Sequence, residues 1–300
     1  MAAIDDVFAS LAEGAVIPYL GPGVLAATPG SEELPGSPAR LVLRLIAKAS
    51  VPHKIRNNLT AAAQFIENFK HRKTVVKAMT EAFTADVSPG DLHRYFAALP
   101  QLPVIVSTWY DDLLMKALSG HPWPAPLASI PSAKAFASRD NWGAVQGVSQ
   151  SEHFGTWVQY FDKSGARVEE AQARDWATLL YQPLGSIAPA ANFLVSDTDF
   201  VEVLTEIDIQ TPIPALVQER RRDRHFLFLG CRFATQLDRM FARQIMKRSS
   251  DRHWALLEGE LTRNETRFLA DQNIQRIDMS LSEFLARAGR ASVAPLATAV

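Results

Sequence analysis

A glycine-rich turn near the N-terminus has the residue types that let a backbone approach a phosphate. The apolar run at 16–20 is typical of a buried strand, and Gly21, Pro22 and Gly23 follow it directly. In phosphate-binding turns of this kind the first glycine allows a tight bend and the second lets the backbone approach the ligand. A later small residue, here Ala26, lets the next helix pack against the strand. An ordinary turn is the alternative, because Pro22 has no N–H to donate to a phosphate.

Polar and aromatic residues follow a second apolar run, at 103–107. Asp111 and Asp112 could bind a metal ion or a ribose hydroxyl there, or could cap the helix predicted at 110–119. Trp109 could stack on a purine or flavin ring, or could fill space in the core. Capping and space filling are the more common roles of such residues.

Arg232 follows a third apolar run and the glycine at position 230. Its planar guanidinium could bind a phosphate or a carboxylate, or could pair with Asp238 or a helix end. No metal site is predicted, because the histidines and the single cysteine, Cys231, form none of the clusters that bind metals. One cysteine also excludes an internal disulfide. We expect Cys231 to be buried.

The overall composition argues against some classes of partner. With 31 basic and 32 acidic residues the net charge is −1, so global charge does not favour nucleic acid or an anionic membrane. Such a partner would need a local basic patch, and the arginine-rich run at 220–224 instead suits a helix end. No apolar run approaches the roughly 20 residues that span a bilayer, and no basic leader is present. We therefore expect a soluble, cytoplasmic protein without membrane or nucleic-acid partners.

Short apolar runs alternate with amphipathic segments from residue 177 onward. Strands separated by helices and short loops imply βαβ crossovers and a sheet covered on both faces. The sequence therefore predicts an α/β fold, a Rossmann-like parallel sheet with helices on both faces. The predicted strands lie at 15–20, 103–107, 178–182, 192–195, 225–229, 253–257 and 274–277, and the predicted helices at 4–13, 39–49, 56–69, 71–84, 89–99, 110–119, 198–209, 212–222, 235–249, 261–272 and 280–288.

A single domain over residues 1–290 is predicted, followed by a flexible tail at 291–300. Two parts of the domain depart from the regular alternation. Residues of about 50–100 are predicted to form a helical insertion, and those of about 120–176 an irregular insertion with a small β-hairpin. Exposed aromatic residues in the hairpin at 154–161 would suit self-association.

Five segments follow one another in a recognisable order along the chain. They are Val16-Ile-Pro-Tyr-Leu-Gly21-Pro-Gly23-Val-Leu-Ala26, Val104-Ile-Val-Ser-Thr108-Trp109-Tyr110-Asp111-Asp112, Leu180-Tyr181-Gln-Pro-Leu184-Gly185-Ser186-Ile187, Val195-Ser-Asp-Thr-Asp199-Phe200 and His225-Phe-Leu-Phe-Leu-Gly230-Cys-Arg-Phe. Together they resemble the SIR2-like family of NAD-consuming domains, particularly its stand-alone bacterial type. The family's counterparts are its Gly-Ala-Gly-x-Ser loop and its Thr-Asn-Tyr-Asp, His-Gly-Ser, Thr-x-x-Asp-Tyr and Gly-Tyr-Ser segments. The resemblance implies a Rossmann-like fold that binds NAD or a related nucleotide.

The resemblance implies a set of cofactor-binding positions but no catalytic residue. These positions are Gly21, Gly23, Trp109, Tyr110, Asp111, Gly185, Ser186, Gly230 and Arg232. In the family, the asparagine of Thr-Asn-Tyr-Asp and the histidine of His-Gly-Ser surround the nicotinamide ribose, where they position water or polarise a ribose hydroxyl. Here Trp109 and Leu184 stand at these positions, and neither accepts a proton near neutral pH. Leu25 and Arg232 likewise stand where the family has serines.

The chain resembles the family's motifs but lacks its asparagine and histidine, and this combination leads to one main hypothesis and two alternatives. The main hypothesis is a catalytically degenerate SIR2-like protein. It would act as a binding or assembly module for a protein partner or a second copy of the chain, with an NAD-like nucleotide pocket retained. One alternative is an active NAD glycohydrolase or deacylase that uses other groups, such as Asp111, Asp112 or a neighbouring subunit. The other alternative is a nucleotide sensor that binds without turnover.

Overall fold

The computed structural model describes residues 2–120, 140–206 and 213–291. Within these ranges the strands are β1 (Val16–Leu20), β2 (Val104–Ser107), β3 (Trp142–Gly147), β4 (Val158–Asp162), β5 (Arg167–Val168), β6 (Thr178–Gln182), β7 (Gly185–Ser186), β8 (Asn192–Phe193), β9 (His225–Leu229), β10 (His253–Leu256) and β11 (Ile274–Ile277). The helices are α1 (Ala2–Ala12), α2 (Pro22–Ala26), α3 (Pro38–Ile46), α4 (Leu59–Lys70), α5 (Arg72–Ala82), α6 (Asp91–Ala97), α7 (Leu113–Leu118), α8 (Glu170–Ala173), α9 (Asp197–Glu206), α10 (Ala215–Arg220), α11 (Gln236–Met246), α12 (Arg263–Asp271) and α13 (Leu281–Ala291).

The main sheet has the strand order β11-β10-β9-β1-β2-β6-β3-β4-β5. The strands from β11 to β3 pair in parallel, whereas β4 and β5 are antiparallel additions beside β3. Strands β7 and β8 form a small antiparallel pair of their own. This arrangement confirms the predicted α/β, Rossmann-like fold.

Helices cover both faces of the sheet, because alternate residues of each strand point to opposite faces. On one face, strand residues such as Ile17 and Val106 pack against α3, α4, α5 and the helices from α9 to α12. On the other face, residues such as Val16 and Ile105 pack against α1, α6, α7 and α13. Strands buried on both faces need continuous apolar sequence, which explains why β1, β2, β6 and β9 can be predicted from the sequence.

Strand β3 is absent from the sequence-based prediction, which assigned about 120–176 to an irregular insertion. The strand lies inside the main sheet, between β6 and β4. Glycines occupy two of its six positions because side chains would collide there. A Cβ on Gly143 would lie 2.3 Å from the Trp176 ring, and one on Gly147 would lie 2.1 Å from the Pro183 carbonyl oxygen. Two glycines remove the apolar alternation that marks a strand.

The predicted hairpin corresponds to β4 and β5, which pair across a turn held by the Asp162 carboxylate. Its aromatic residues differ in exposure. Phe154, in the loop before β4, is 95% exposed, whereas Tyr160 and Phe161 are buried in the sheet. The predicted self-association surface is therefore reduced to Phe154 and its loop.

Other predictions concern residues that the structure does not describe. The proline-rich loop within 120–176 lies outside the described residues, as does the tail beyond Ala291, the last residue of α13. The single domain over 1–290 and the helical insertion of about 50–100 stay predictions. In the described ranges, no helix is both long and apolar enough to cross a membrane.

A buried ion pair joins the first residue of α5 to the first turn of α9. The Asp199 side chain is 2% exposed, and its Oδ2 accepts a hydrogen bond from Nη1 of Arg72 at 2.8 Å. The same oxygen accepts from the N–H groups of Val195 and Ser196, and Oδ1 accepts from Ser149 Oγ at 2.6 Å. One carboxylate therefore connects the helices between β1 and β2 with the loop after β3 and the start of α9.

We expect Asp199→Asn to lower the free energy of unfolding by about 1–3 kcal/mol, because Arg72 would lose its nearest anion and keep only Glu67 and Glu152 as partners. Urea denaturation of the full chain measures this change. Glu283→Gln is the matched control, since Glu283 pairs with Arg287 at 2.8 Å on the surface, where such a pair contributes about 1 kcal/mol or less. Equal losses in the two variants would contradict the role given to Asp199.

Candidate functional site

A crevice lies at the carboxyl ends of β1, β9, β10 and β11. The chain leaves β1 toward β2 and leaves β9 toward β10, so the sheet changes direction between β1 and β9. Ligands of open α/β sheets bind at such switch points. The crevice has a volume of about 710 Å³ and is lined by residues that follow these four strands, among them Gly23, Ala27, Arg232, Glu258 and Ser280.

The glycine turn after β1 packs directly against the loop after β9. The Gly21 N–H donates to the Leu229 carbonyl at 2.9 Å, and the Gly23 N–H donates to the Gly230 carbonyl at 2.8 Å. A Cβ on Gly21 or Gly23 would lie 2.6 or 2.8 Å from the Gly230 oxygen, so only glycine allows this approach. Gly230 itself has a φ of +62°, which favours glycine. The N–H groups of Gly21 and Gly23, which the sequence predicted as phosphate donors, thus donate to carbonyls of the protein instead.

Trp109 is buried at the carboxyl end of β2, with 4% of its surface exposed. Its Nε1–H donates to the Pro35 carbonyl at 2.8 Å, and its ring packs against the rings of Phe83 and Tyr110. Leu184 and Leu25 belong to the same buried apolar cluster. The geometry agrees with the space-filling role of Trp109.

Tyr110, Gly185 and Ser186 tie the end of β2 to the hairpin of β7 and β8. The Tyr110 hydroxyl donates to the Leu194 carbonyl at 2.7 Å, and Ser186 Oγ lies 2.9 Å from the Asp111 carbonyl oxygen, to which it donates. Gly185 has a φ of +76°, and a Cβ there would lie 2.1 Å from the Asn192 carbonyl oxygen. These contacts are with backbone groups of the protein, so the three residues shape the fold at this point.

The Asp111 carboxyl group is buried beside the start of α7. Its Oδ1 accepts a hydrogen bond at 3.1 Å from the N–H of Leu113, the first residue of α7, whereas Asp112, at the N-cap position, makes no capping bond with its side chain. Burial raises the pKa of Asp111 from 3.8 to about 6, with a smaller contribution from the neighbouring Asp112. Asp112 pairs with Lys116 at 3.3 Å.

Arg232 pairs with Glu265 on α12 rather than with Asp238. Its Nε and Nη2 donate to the two carboxylate oxygens at 2.9 and 3.2 Å, and the Glu265 side chain is fully buried. The remaining bonds of the guanidinium go to the carbonyls of Glu258 and Glu260. Arg232 therefore lines the crevice with its positive charge balanced by the carboxylate of Glu265.

The crevice brings together only part of the predicted cofactor-binding set. Gly23, Gly230 and Arg232 line it, whereas the residues at the end of β2 and in the β7–β8 hairpin are not among its lining residues. The sequence did not predict Glu258 and Ser280 as site residues. Each follows the carboxyl end of a predicted strand, which is where ligands of such sheets bind. In the described ranges, no group of three His, Cys, Asp or Glu residues is placed to hold a metal ion.

A family model for the SIR2-like domain matches residues 103–277, from the residue before β2 to the end of β11. The matched region holds Trp109, Leu184 and Arg232 but begins after the glycine turn. A search of curated proteins found no match. Because the matched region covers more than half of the chain, this protein belongs to the SIR2-like domain family.

Proposed function

We propose that this SIR2-like protein is a binding module that does not cleave NAD and that takes the nucleoside part of a nucleotide in its crevice. The observation that carries the proposal is the buried Trp109 indole, whose N–H donates to Pro35. The family resemblance puts an asparagine beside the nicotinamide ribose at this position. A packed indole leaves neither space nor a proton acceptor there, and general acid–base help is typically worth about 10²–10⁴-fold in rate.

The nicotinamide end of NAD therefore does not fit this chain, whereas the adenosine end has room. A crevice of about 710 Å³ is within the range of about 300–1,000 Å³ usual for small-molecule sites. Among its lining residues, the Thr28 and Ser280 hydroxyls already bond to the Val24 carbonyl and to Ser282, whereas Asp91, which is partly exposed, and Glu258, which is exposed, carry carboxylates. Such groups can hydrogen-bond to a ribose and to the edge of a base.

Phosphate groups would find few free donors in the crevice. The Gly21 and Gly23 N–H groups donate to carbonyls of the protein, and the Arg232 guanidinium is paired with Glu265. We infer that the base and the ribose, rather than the phosphates, supply most of the binding free energy. Adenosine should then bind nearly as well as NAD.

A module that binds without turnover acts through a partner, and we propose that this is another protein or a second copy of the chain. Phe154 supports the proposal, because a ring that is 95% exposed gains free energy when a partner covers it.

Purified protein should release no nicotinamide from NAD above a control without protein. Chromatography of the reaction mixture at saturating NAD measures the release. The expectation follows from Trp109 and Leu184, neither of which can act as a general base. Turnover that disappears in Asp111→Asn would instead establish the alternative function, an NAD glycohydrolase or deacylase with Asp111 as its catalytic acid or base.

That alternative rests on the Asp111 carboxyl, and its pH dependence can be measured without any substrate. Between about pH 4 and pH 6 the folded protein keeps a proton on Asp111 that the unfolded chain releases. Stability therefore falls as pH rises through this window, by about 3 kcal/mol in total.

Asp111→Asn removes this loss while its side-chain oxygen can still accept from Leu113. We expect the variant to gain about 3 kcal/mol relative to the parent between about pH 4 and about pH 7.5, as measured by urea denaturation at both values. Asp112→Asn is the control, because it removes the attraction to Lys116 and should not stabilise the chain. A parent and an Asp111→Asn variant with parallel pH profiles would contradict the buried, proton-holding carboxyl.

Adenosine, AMP and NAD should each raise the melting temperature of the parent protein. Ala27→Trp should abolish these shifts, because Ala27 is exposed and lines the crevice, where an indole would fill the space. Ala270→Trp, at an exposed position of α12 that does not line the crevice, should leave the shifts unchanged. Loss of the shifts in both variants, or in neither, would exclude the crevice as the binding site.

A further inference from the structure

Positive charge is concentrated on the helices between β1 and β2. Residues 48–77 contain seven lysines and arginines and one acidic residue, Glu67, although the net charge of the whole chain is −1. Glu67 is occupied by Arg72, with which it pairs at 3.2 Å. The other cations are exposed, and we call them the basic face: Lys48, Lys54, Arg56, Lys70, Lys73 and Lys77.

Three members of the basic face surround a surface hollow of about 380 Å³. Lys48, Arg56 and Lys70 line it, together with the backbone of residues 46–51 after α3. The Nε of Arg56 donates to the Val51 carbonyl at 3.0 Å, which ties the guanidinium to the loop that lines the hollow, and the residue is exposed. The hollow thus has three cations around a space larger than a phosphate group.

Most of these cations have no carboxylate partner. Lys48 pairs with Glu81 at 2.8 Å, and Lys77 reaches the same carboxylate at 4.0 Å. Among the described residues, no carboxylate oxygen lies within 4 Å of the charged nitrogens of Arg56 or Lys70. An unpaired surface cation keeps its full attraction for an anionic ligand.

The arginines at 220–224 differ from the basic face, because their guanidiniums bond to backbone carbonyls of the protein. Arg220 donates to the Trp176 carbonyl at 2.7 Å, Arg221 to the Ile245 carbonyl at 2.6 Å, and Arg224 to the Gly14 carbonyl at 3.2 Å. These guanidiniums hold elements of the fold together, whereas the sequence predicted only that they suit a helix end. The basic face makes few such bonds.

An exposed aromatic residue is the sequence neighbour of one member of the basic face. Phe69, which precedes Lys70, is 70% exposed, and its ring rests on that of Phe65 with centroids 4.4 Å apart. Surfaces that bind single-stranded nucleic acid combine cations for the phosphates with exposed aromatic rings on which bases stack. An acidic peptide would use the cations but has no need of an exposed phenyl ring.

We propose that the basic face binds single-stranded nucleic acid, with a phosphate in the hollow between Arg56 and Lys70 and a base stacked on Phe69. The sequence predicted no nucleic-acid partner because the net charge of the whole chain is −1. Acidic residues elsewhere in the chain balance the cations of the basic face. This surface is separate from the crevice, whose lining residues it does not share.

Fluorescence anisotropy of the full chain with a labelled oligothymidylate of about twenty nucleotides tests the proposal. Arg56→Gln combined with Lys70→Gln should weaken binding about 10- to 30-fold near 0.1 M salt. The same change should reduce the slope of log K against log salt by about 1.4, because each lost contact with a single strand contributes about 0.7. Phe69→Ala should weaken binding about 5-fold or more at every salt concentration.

Arg263→Gln combined with Arg267→Gln is the matched control, because it removes the same charge from the exposed surface of α12. It should bind like the parent, as should Ala27→Trp. Lys54→Gln combined with Lys73→Gln provides a second test of the basic face with different side chains. Equal weakening in the control pair, no binding by the parent, or binding only to vesicles rich in phosphatidylserine would overturn the proposal.

Discussion

Direct contact between two backbone segments holds the centre of this fold together. The turn after β1 donates from Gly21 and Gly23 to carbonyls at the end of β9, at distances that leave no room for a Cβ. This contact extends the parallel pairing of β1 and β9 beyond the strands themselves. It lies where the sheet changes direction, and Gly23 and Gly230, which make part of it, also line the crevice.

Contacts of this kind, made with the protein's own backbone, recur at other residues that resemble the family's motifs. Residues that resemble the family's motifs bond to the protein's own backbone: Gly23 to Gly230, Tyr110 to Leu194 and Ser186 to Asp111. Their contribution to the fold does not depend on a ligand. The side chains that would act on NAD can therefore be replaced by apolar ones, as at Trp109, while the sheet and its crevice remain.

The sequence predicts the parts of this structure whose signals are local. Strands β6 and β9 are largely apolar runs between turns, so their bounds can be predicted closely from the sequence. The glycines of β3 interrupt the apolar pattern, so this core strand was not predicted. The hydrogen bond between Asp111 and the first residue of α7 is also local. The partner of Arg232 could not be predicted, because Glu265 is distant in sequence and its burial depends on how α12 packs. The basic face was missed because charge was judged over the whole chain.

The hydrogen bond from Trp109 to Pro35 has an evolutionary consequence. Replacement of Trp109 by a smaller residue would open space but would also leave the Pro35 carbonyl without its donor, and an unsatisfied buried carbonyl costs about 1–3 kcal/mol. The loop that carries Pro35 would have to change together with the indole. A pocket at this position therefore needs changes at two sites together, and the change at Trp109 alone is destabilising, so selection acting on single mutations would tend to keep the indole.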